Sequence, residues 1–151
     1  FTLVSVVLLA IFATPPLAGQ SGGAGPLVVY GDIVEFLDQT NPMTCQPKVR
    51  FKRGEAMGFR MTAINPATNS RDRATELVVH ITYGGQTVEV PMRDRQTERQ
   101  PEREFWVAKW VVPVDAPIGA VHYRVTAKDP QGRTDEFTPF PVQNSQLTIV
   151  E

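Results

Sequence analysis

The chain has 151 residues, of which 42% are hydrophobic and 21% charged, a composition typical of one folded globular domain. Fifteen Lys and Arg residues are balanced by 16 Asp and Glu residues, and this net charge of −1 excludes the basic surface that nucleic-acid binding requires. The single cysteine, Cys45, excludes an intrachain disulfide and any metal site built from several thiolates.

The N-terminal segment, residues 1–16, is uncharged and apolar and ends at Pro15-Pro16, where a helix cannot continue. Its apolar run of 14 residues spans about 21 Å as a helix, so length alone favours a cleaved signal peptide over a membrane anchor. The small residues that cleavage requires occur only at Gly22 and Ala24, far beyond the apolar run, and we therefore expect a retained transmembrane helix. The side chains expected to enter the bilayer are Leu3, Val4, Val7, Leu8, Leu9, Ile11 and Phe12.

Residues 17–44 are predicted to form a tether and an edge segment. The tether is rich in Gly, Pro and Ser, and residues 27–37 fit either one helical turn or an edge strand. Lys48 is the only Lys or Arg among residues 1–49. Because cytoplasmic flanks carry an excess of these residues, we expect a single-pass protein of the cytoplasmic membrane, with its domain on the periplasmic or extracytoplasmic side.

Residues 45–151 show the pattern of short strands joined by turns. Apolar and polar residues alternate over 55–64 and 77–83, and Gly84-Gly85 predicts a tight hairpin that leads into a return strand over 88–92. The charge-dense but neutral segment 93–104 is interpreted as a solvated loop. Further strands are predicted at 49–51, 105–112, 120–128, 134–140 and 146–150.

Residues 116–134 place Gly119, an apolar residue and Tyr123 before alternating Val and Thr, and then a turn, Asp129-Pro130-Gln131-Gly132. This stretch resembles the last hairpin of bacterial immunoglobulin-like and fibronectin-III-like domains, although the two core cysteines of antibody domains are absent. The expected fold is therefore all-β, an immunoglobulin-like antiparallel sandwich of seven or eight strands over residues 45–151. The resemblance implies a module for adhesion, spacing or docking, and it implies no chemistry.

A blue-copper centre is the main chemical alternative, because the residue types that it needs, two His, one Cys and usually a Met, are present. His80, His122 and Cys45 do not cluster on one loop near the C-terminus, so we expect no metal and no cofactor. Both histidines are predicted within strands, either hydrogen bonded or facing solvent, and neither supports a catalytic triad. We therefore expect that the chain is not an enzyme and that it binds no small-molecule substrate.

The strand predicted over 105–112 is apolar on both faces. Trp106 and Trp110 share one face with Ala108 and Val112, and we expect this face to lie in the core. A sandwich strand buries only one face in its own core, so the opposite face is expected to contact another chain. The candidate partner interface consists of Phe105, Val107, Lys109 and Val111.

These features together predict a non-catalytic accessory subunit that is held by the lipid bilayer and docks on an integral membrane protein complex, such as a respiratory or photosynthetic assembly. One alternative is a secreted adhesin or carbohydrate-binding module with a cleaved signal peptide. A periplasmic copper-binding protein is a third. Retention of residues 1–16 in the mature protein distinguishes the first hypothesis from the second.

Overall fold

The computed structural model describes residues 26–37, 45–96, 98–99, 103–140 and 146–151. The predicted membrane anchor, residues 1–16, and most of the tether lie outside the described residues. The part of the chain that is described contains no helix with the length and apolarity needed to span a membrane. It forms eleven β-strands: β1 (Val28–Glu35), β2 (Arg50–Lys52), β3 (Ala56–Ile64), β4 (Glu76–Tyr83), β5 (Gln86–Pro91), β6 (Arg93–Asp94), β7 (Trp106–Val111), β8 (Gly119–Ala120), β9 (His122–Lys128), β10 (Thr134–Phe137) and β11 (Thr148–Val150).

The strands form two four-stranded sheets and one small sheet. The first sheet has the order β1-β3-β7-β6 and the second has the order β10-β9-β4-β5, with antiparallel neighbours throughout. The small sheet has the order β2-β11-β8, and β11 runs parallel to β2. The expected antiparallel arrangement therefore holds in both main sheets but not in this pair. No tight turn joins β2 to β11, because they lie far apart in the sequence, and parallel pairing is then possible.

The inner sides of the two main sheets share one hydrophobic core. From the first sheet, Met57, Phe59 and Met61 of β3 are buried at alternate positions. From the second sheet, alternate residues of β4 are buried in the same cluster, as the period of two predicts for a half-buried strand. Trp106 is also buried there, and Trp110 packs against the cluster with its ring centroid 5.0 Å from that of Tyr83. The side of β7 that was predicted to face the core is thus confirmed.

The segment with two possible interpretations, residues 27–37, contains β1, and the alternative of a helical turn is wrong. β1 pairs with β3 from Val28↔Ile64 to Glu35↔Met57. Gly31 permits this close pairing, because a Cβ at this position would lie 2.0 Å from the carbonyl oxygen of Arg60. Val29 and Ile33 of β1 belong to the core, so the folded unit extends upstream of residue 45.

The turns lie where the sequence predicts them. Gly84 and Gly85 join β4 to β5 with φ angles of +53° and +80°, which glycine adopts without steric cost. The structure has more strands than the seven or eight expected, partly because β6 and β8 have only two residues each. Segments this short show no alternation in the sequence, and β6 lies within the charge-dense stretch that was interpreted as a loop.

Candidate partner-binding face

The outward side of the first sheet carries an unusual share of apolar side chains. The residues that point away from the core on β1, on β3 and on the segment 105–111 form a continuous surface, here called the docking face. Val28, Tyr30 and Val111 lie on this face and are 45%, 49% and 49% exposed. The docking face includes Val28, Tyr30, Asp32, Arg60, Phe105, Val107, Lys109 and Val111.

The four residues predicted as a partner interface share this face but differ in accessibility. Val111 and Lys109 are exposed and Phe105 is half-buried, whereas Val107 is only 7% exposed. The cross-strand neighbours of Val107 are Arg60 on β3 and Arg93 on β6. The pairing of β6 with β7 includes Val107 but not Lys109 or Val111, so Val107 has a neighbouring strand on both sides and is more buried than they are. A partner can therefore reach Phe105, Lys109 and Val111 but not the greater part of Val107.

An ion pair occupies the centre of the docking face. Arg60 donates from Nε to Oδ1 of Asp32 at 2.9 Å and from Nη2 to Oδ2 at 2.5 Å, a bidentate arrangement across paired strands. The hydrogen bonds that Arg60 donates to the Asp32 carboxylate raise the pKa of the Arg60 guanidinium above its usual value. Because both side chains are partly exposed, the pair contributes little to stability, but it holds the two polar groups in defined positions.

A shallow depression of about 380 Å³ lies beside this ion pair. Tyr30 and Phe105 contribute aromatic rings to its lining, and Asp32, Arg60 and Thr62 contribute polar groups. The hydroxyl of Thr62 donates to the carbonyl oxygen of Glu104 at 2.8 Å, so it is already satisfied within the chain. The depression thus combines aromatic rings with polar groups that are already hydrogen bonded, a combination typical of interface centres.

The opposite end of the docking face is built around Lys109. Its ammonium lies 5.5 Å from the ring centroid of Phe36, a cation–π contact. Lys109 is paired across the sheet with Gly58, where an added Cβ would lie 2.8 Å from Val34 and 3.0 Å from Phe36. Because Gly58 has no side chain, the side chains of Val34 and Phe36 can lie directly on the sheet. The ammonium of Lys109 lies over the Phe36 ring.

The contribution of β1 to this face was not predicted from the sequence. Val28, Tyr30 and Asp32 point outward, whereas Val29 and Ile33 point inward, and this alternation is visible in the sequence. It was obscured because Ile33-Val34 and Phe36-Leu37 also fit the spacing of a helical turn.

The outward side of the second sheet is different in character. On β9, the outward residues Arg124, Thr126 and Lys128 are polar, and Arg124 forms an ion pair of 2.8 Å with Glu136 of β10. Nearly every outward position of this sheet is polar, as expected where one face of an antiparallel sheet meets water. The contrast between the two sheets singles out the docking face as a surface suited to a partner.

The histidines and the cysteine do not converge. His80 lies within 3.0 Å of the Thr126 hydroxyl through Nε2 and within 3.1 Å of the Glu89 carboxylate through Nδ1, so it is hydrogen bonded, one of the two states predicted for it. His122 is exposed on β9, and Cys45 is an exposed free thiol. Within the described ranges, no group of three or more His, Cys, Asp and Glu side chains is arranged to hold a metal ion.

No protein-family model matches this chain, and no curated protein shows significant similarity to it.

Proposed function

We propose that this chain is a non-catalytic, membrane-anchored accessory subunit, whose extracytoplasmic domain docks on a larger membrane protein complex through the docking face. The observation that carries this proposal is the asymmetry between the two sheets. Val28, Tyr30 and Val111 are each about half exposed on the outward side of the first sheet, whereas the outward side of the second sheet is polar. Exposed apolar groups such as Val28 and Tyr30, beside Phe105 at one end of this face, are typical of a contact with another molecule.

The order of the strands supports an immunoglobulin-like fold for this module. In that fold the strands A, B, E and D form one sheet, and C, F and G form the other, to which variable-type domains add C′. The orders β1-β3-β7-β6 and β10-β9-β4-β5 correspond to A-B-E-D and G-F-C-C′. The segment 116–134, which resembles the last hairpin of such domains, then corresponds to strands F and G.

Two contacts act together in the proposed attachment. A helix formed by residues 1–16 restricts the domain to the membrane surface, which raises its effective concentration near a membrane-embedded partner. The docking face supplies specificity, because burial of an apolar side chain such as Val111 contributes about 1.5–3 kcal/mol. The aromatic rings of Tyr30 and Phe105, which line the depression beside the ion pair, are the expected centre of the interface.

Replacement of Val111 by Asp tests the proposal. The full chain is expressed in its native membrane, solubilised and purified by a tag, and the integral membrane proteins that co-purify in stoichiometric amount are quantified. Val111→Asp removes apolar burial and places a charge at the contact, so we expect binding at least about tenfold weaker.

The matched control is Val114→Asp, which makes the same change at a residue that is 80% exposed and lies outside the docking face. It should co-purify as the wild type does, and both variants should keep the wild-type melting temperature. If Val111→Asp keeps its partner, the docking face is not the interface. If the wild-type chain co-purifies with no membrane complex, the accessory-subunit function is wrong.

A further inference from the structure

The second sheet has an open edge at β5. At the edge of the first sheet, β1 is covered by its own chain: the N–H of Val29 donates to Oδ2 of Asp135 at 2.9 Å, and the segment 45–48 exchanges backbone hydrogen bonds with Ile33 and Glu35. β5 is six residues long, and β4 is its only partner strand among the residues that the structure describes. An unpaired edge strand presents a row of backbone donors and acceptors to any chain that can add a strand.

The register of the β4–β5 hairpin identifies which groups are free. Tyr83 pairs with Gln86 across the two-residue turn, and the ladder continues to the hydrogen bond of 2.9 Å from the N–H of Met92 to Leu77. Alternate residues of an antiparallel ladder exchange hydrogen bonds, so the N–H and C=O groups of Thr87 and Glu89 point away from β4. No described residue forms a backbone hydrogen bond with them. Pro91 has no N–H and ends the open edge.

We propose that a second copy of this chain adds its own β5 to this edge, antiparallel, about a twofold axis at Val88. Thr87 of one copy then lies opposite Glu89 of the partner subunit, and each such pair exchanges both of its N–H···O bonds. If the register shifts by one residue towards the turn, Gly85 must pair with Glu89 of the partner subunit. Gly85 has a φ of +80°, which is outside the range of a β-strand. A shift the other way sets two Glu89 carboxylates directly opposite each other, which is destabilising. The Val88-centred register is therefore the one in which both outward residues are fully paired.

The side chains of β5 are compatible with this arrangement. Glu89 is 68% exposed and its carboxylate lies 3.1 Å from Nδ1 of His80, so across the new junction it meets a threonine hydroxyl rather than a second acid. Val88 is half-buried against the core, and the two Val88 side chains meet at the axis as a closely spaced pair. The hydrophobic layer under the second sheet then continues across the junction. This dimer leaves the docking face free, because that face belongs to the other sheet.

Disulfide trapping tests the register directly. The full chain carries Cys45→Ser, to remove the native exposed thiol, together with Val88→Cys. Opposed residues in a closely spaced pair have Cα atoms about 4.5 Å apart, within the range of a disulfide. We expect mild oxidation to convert most of this variant to a covalent dimer.

Val90→Cys in the same background is the matched control. The two copies of residue 90 lie four positions apart in the proposed register, about 13 Å, which is beyond the reach of a disulfide. Cross-linking at position 90 as fast as at position 88, or no cross-linking at position 88, overturns the proposal.

Sedimentation equilibrium of the full chain in mild detergent supplies the second measurement. The wild type should shift from monomer to dimer mass as its concentration rises. Thr87→Pro removes an outward N–H that the hairpin does not use, and we expect dimerisation at least about tenfold weaker with the melting temperature nearly unchanged.

Association through the apolar segment 1–16 would persist in Thr87→Pro and would therefore overturn the proposal. If the β5 edge binds only an extended segment of a different protein, the purified wild type will stay monomeric. A monomeric wild type therefore also overturns the proposal. If Thr87→Pro fails to fold, the comparison of cross-linking at positions 88 and 90 still decides.

Discussion

Asp129 opens the turn between β9 and β10, and its side chain is completely buried. Its Oδ1 accepts hydrogen bonds from the N–H groups of Gln131 at 3.0 Å and Arg133 at 2.8 Å, and its Oδ2 pairs with the Arg133 guanidinium. Burial alone would raise the pKa of this carboxyl. The hydrogen bonds and the charge of Arg133, together with the Gln131 N–H, instead hold the pKa below its usual value. The buried side chain of Asp129 therefore also fixes the position of Arg133, which directly precedes β10.

The lowered pKa of Asp129 predicts a pH-dependent contribution to stability. A carboxyl whose pKa is lower in the folded state stabilises the fold above its unfolded pKa, near 4, and this contribution is lost as the pH falls towards the folded value. We expect Asp129→Asn to lower the melting temperature by several degrees at pH 7. The difference from the wild type should shrink steadily between about pH 5 and pH 3 in thermal unfolding followed by circular dichroism.

Asp115→Asn provides the control for this measurement, because Asp115 is exposed in a loop. It should unfold as the wild type does over the whole pH range. A loss of stability in Asp129→Asn that stays constant from pH 7 to pH 3 would contradict the assignment to the ionised carboxylate.

At the scale of elements, β1 decides where the folded domain begins. It pairs with β3 along its whole length and buries Val29, Ile33 and Val34. Each such side chain contributes about 1.5–3 kcal/mol, so their sum is comparable to the whole stability of a typical domain, about 5–15 kcal/mol. The composition of residues 17–44 indicated a tether and an edge segment, but tertiary pairing makes this edge part of the core.

A truncation series tests the role of β1. We expect residues 26–151 to give a β-rich circular dichroism spectrum and a cooperative thermal transition. Residues 45–151 should lose the cooperative transition, because the truncation uncovers one edge of β3 and opens the core. Equal melting temperatures for the two fragments would show that β1 is peripheral to the fold.

At the scale of the whole molecule, the proposed attachment combines a membrane segment with a docking face. Deletion of residues 1–18 should move the protein from the membrane pellet to the supernatant after ultracentrifugation. The soluble protein should still bind its partner at high concentration, because the docking face is untouched and only the effective concentration is lost.

Substitution of Leu8 and Leu9 by Arg in the full chain is the companion variant. Charges at the centre of a membrane helix are costly, so this variant should also leave the membrane. If the protein remains in the pellet after deletion of residues 1–18, residues 1–16 are not its membrane anchor.

Local patterns in the sequence determined the all-β class, most strand positions and the turns at Gly84-Gly85 and Asp129–Gly132. They could do so because alternation and turn chemistry are properties of neighbouring residues. The two strongest alternating patterns in the sequence correspond to β3 and β4, which are strands of nine and eight residues in the structure. The same patterns placed Trp106 and Trp110 correctly on the core side of β7.

Only the tertiary structure decided the order of the strands, the parallel pairing of β2 with β11 and the membership of β1 in the first sheet. It also decided that Val107, predicted as part of an interface, is only 7% exposed, with Arg60 and Arg93 as its cross-strand neighbours. These three residues are far apart in the chain. The alternation of apolar and polar residues within one strand does not show which residues of the neighbouring strands will lie beside Val107. Pairing between strands is a non-local choice, settled by which arrangement buries the most apolar surface at once, and the accessible part of the docking face follows from that choice.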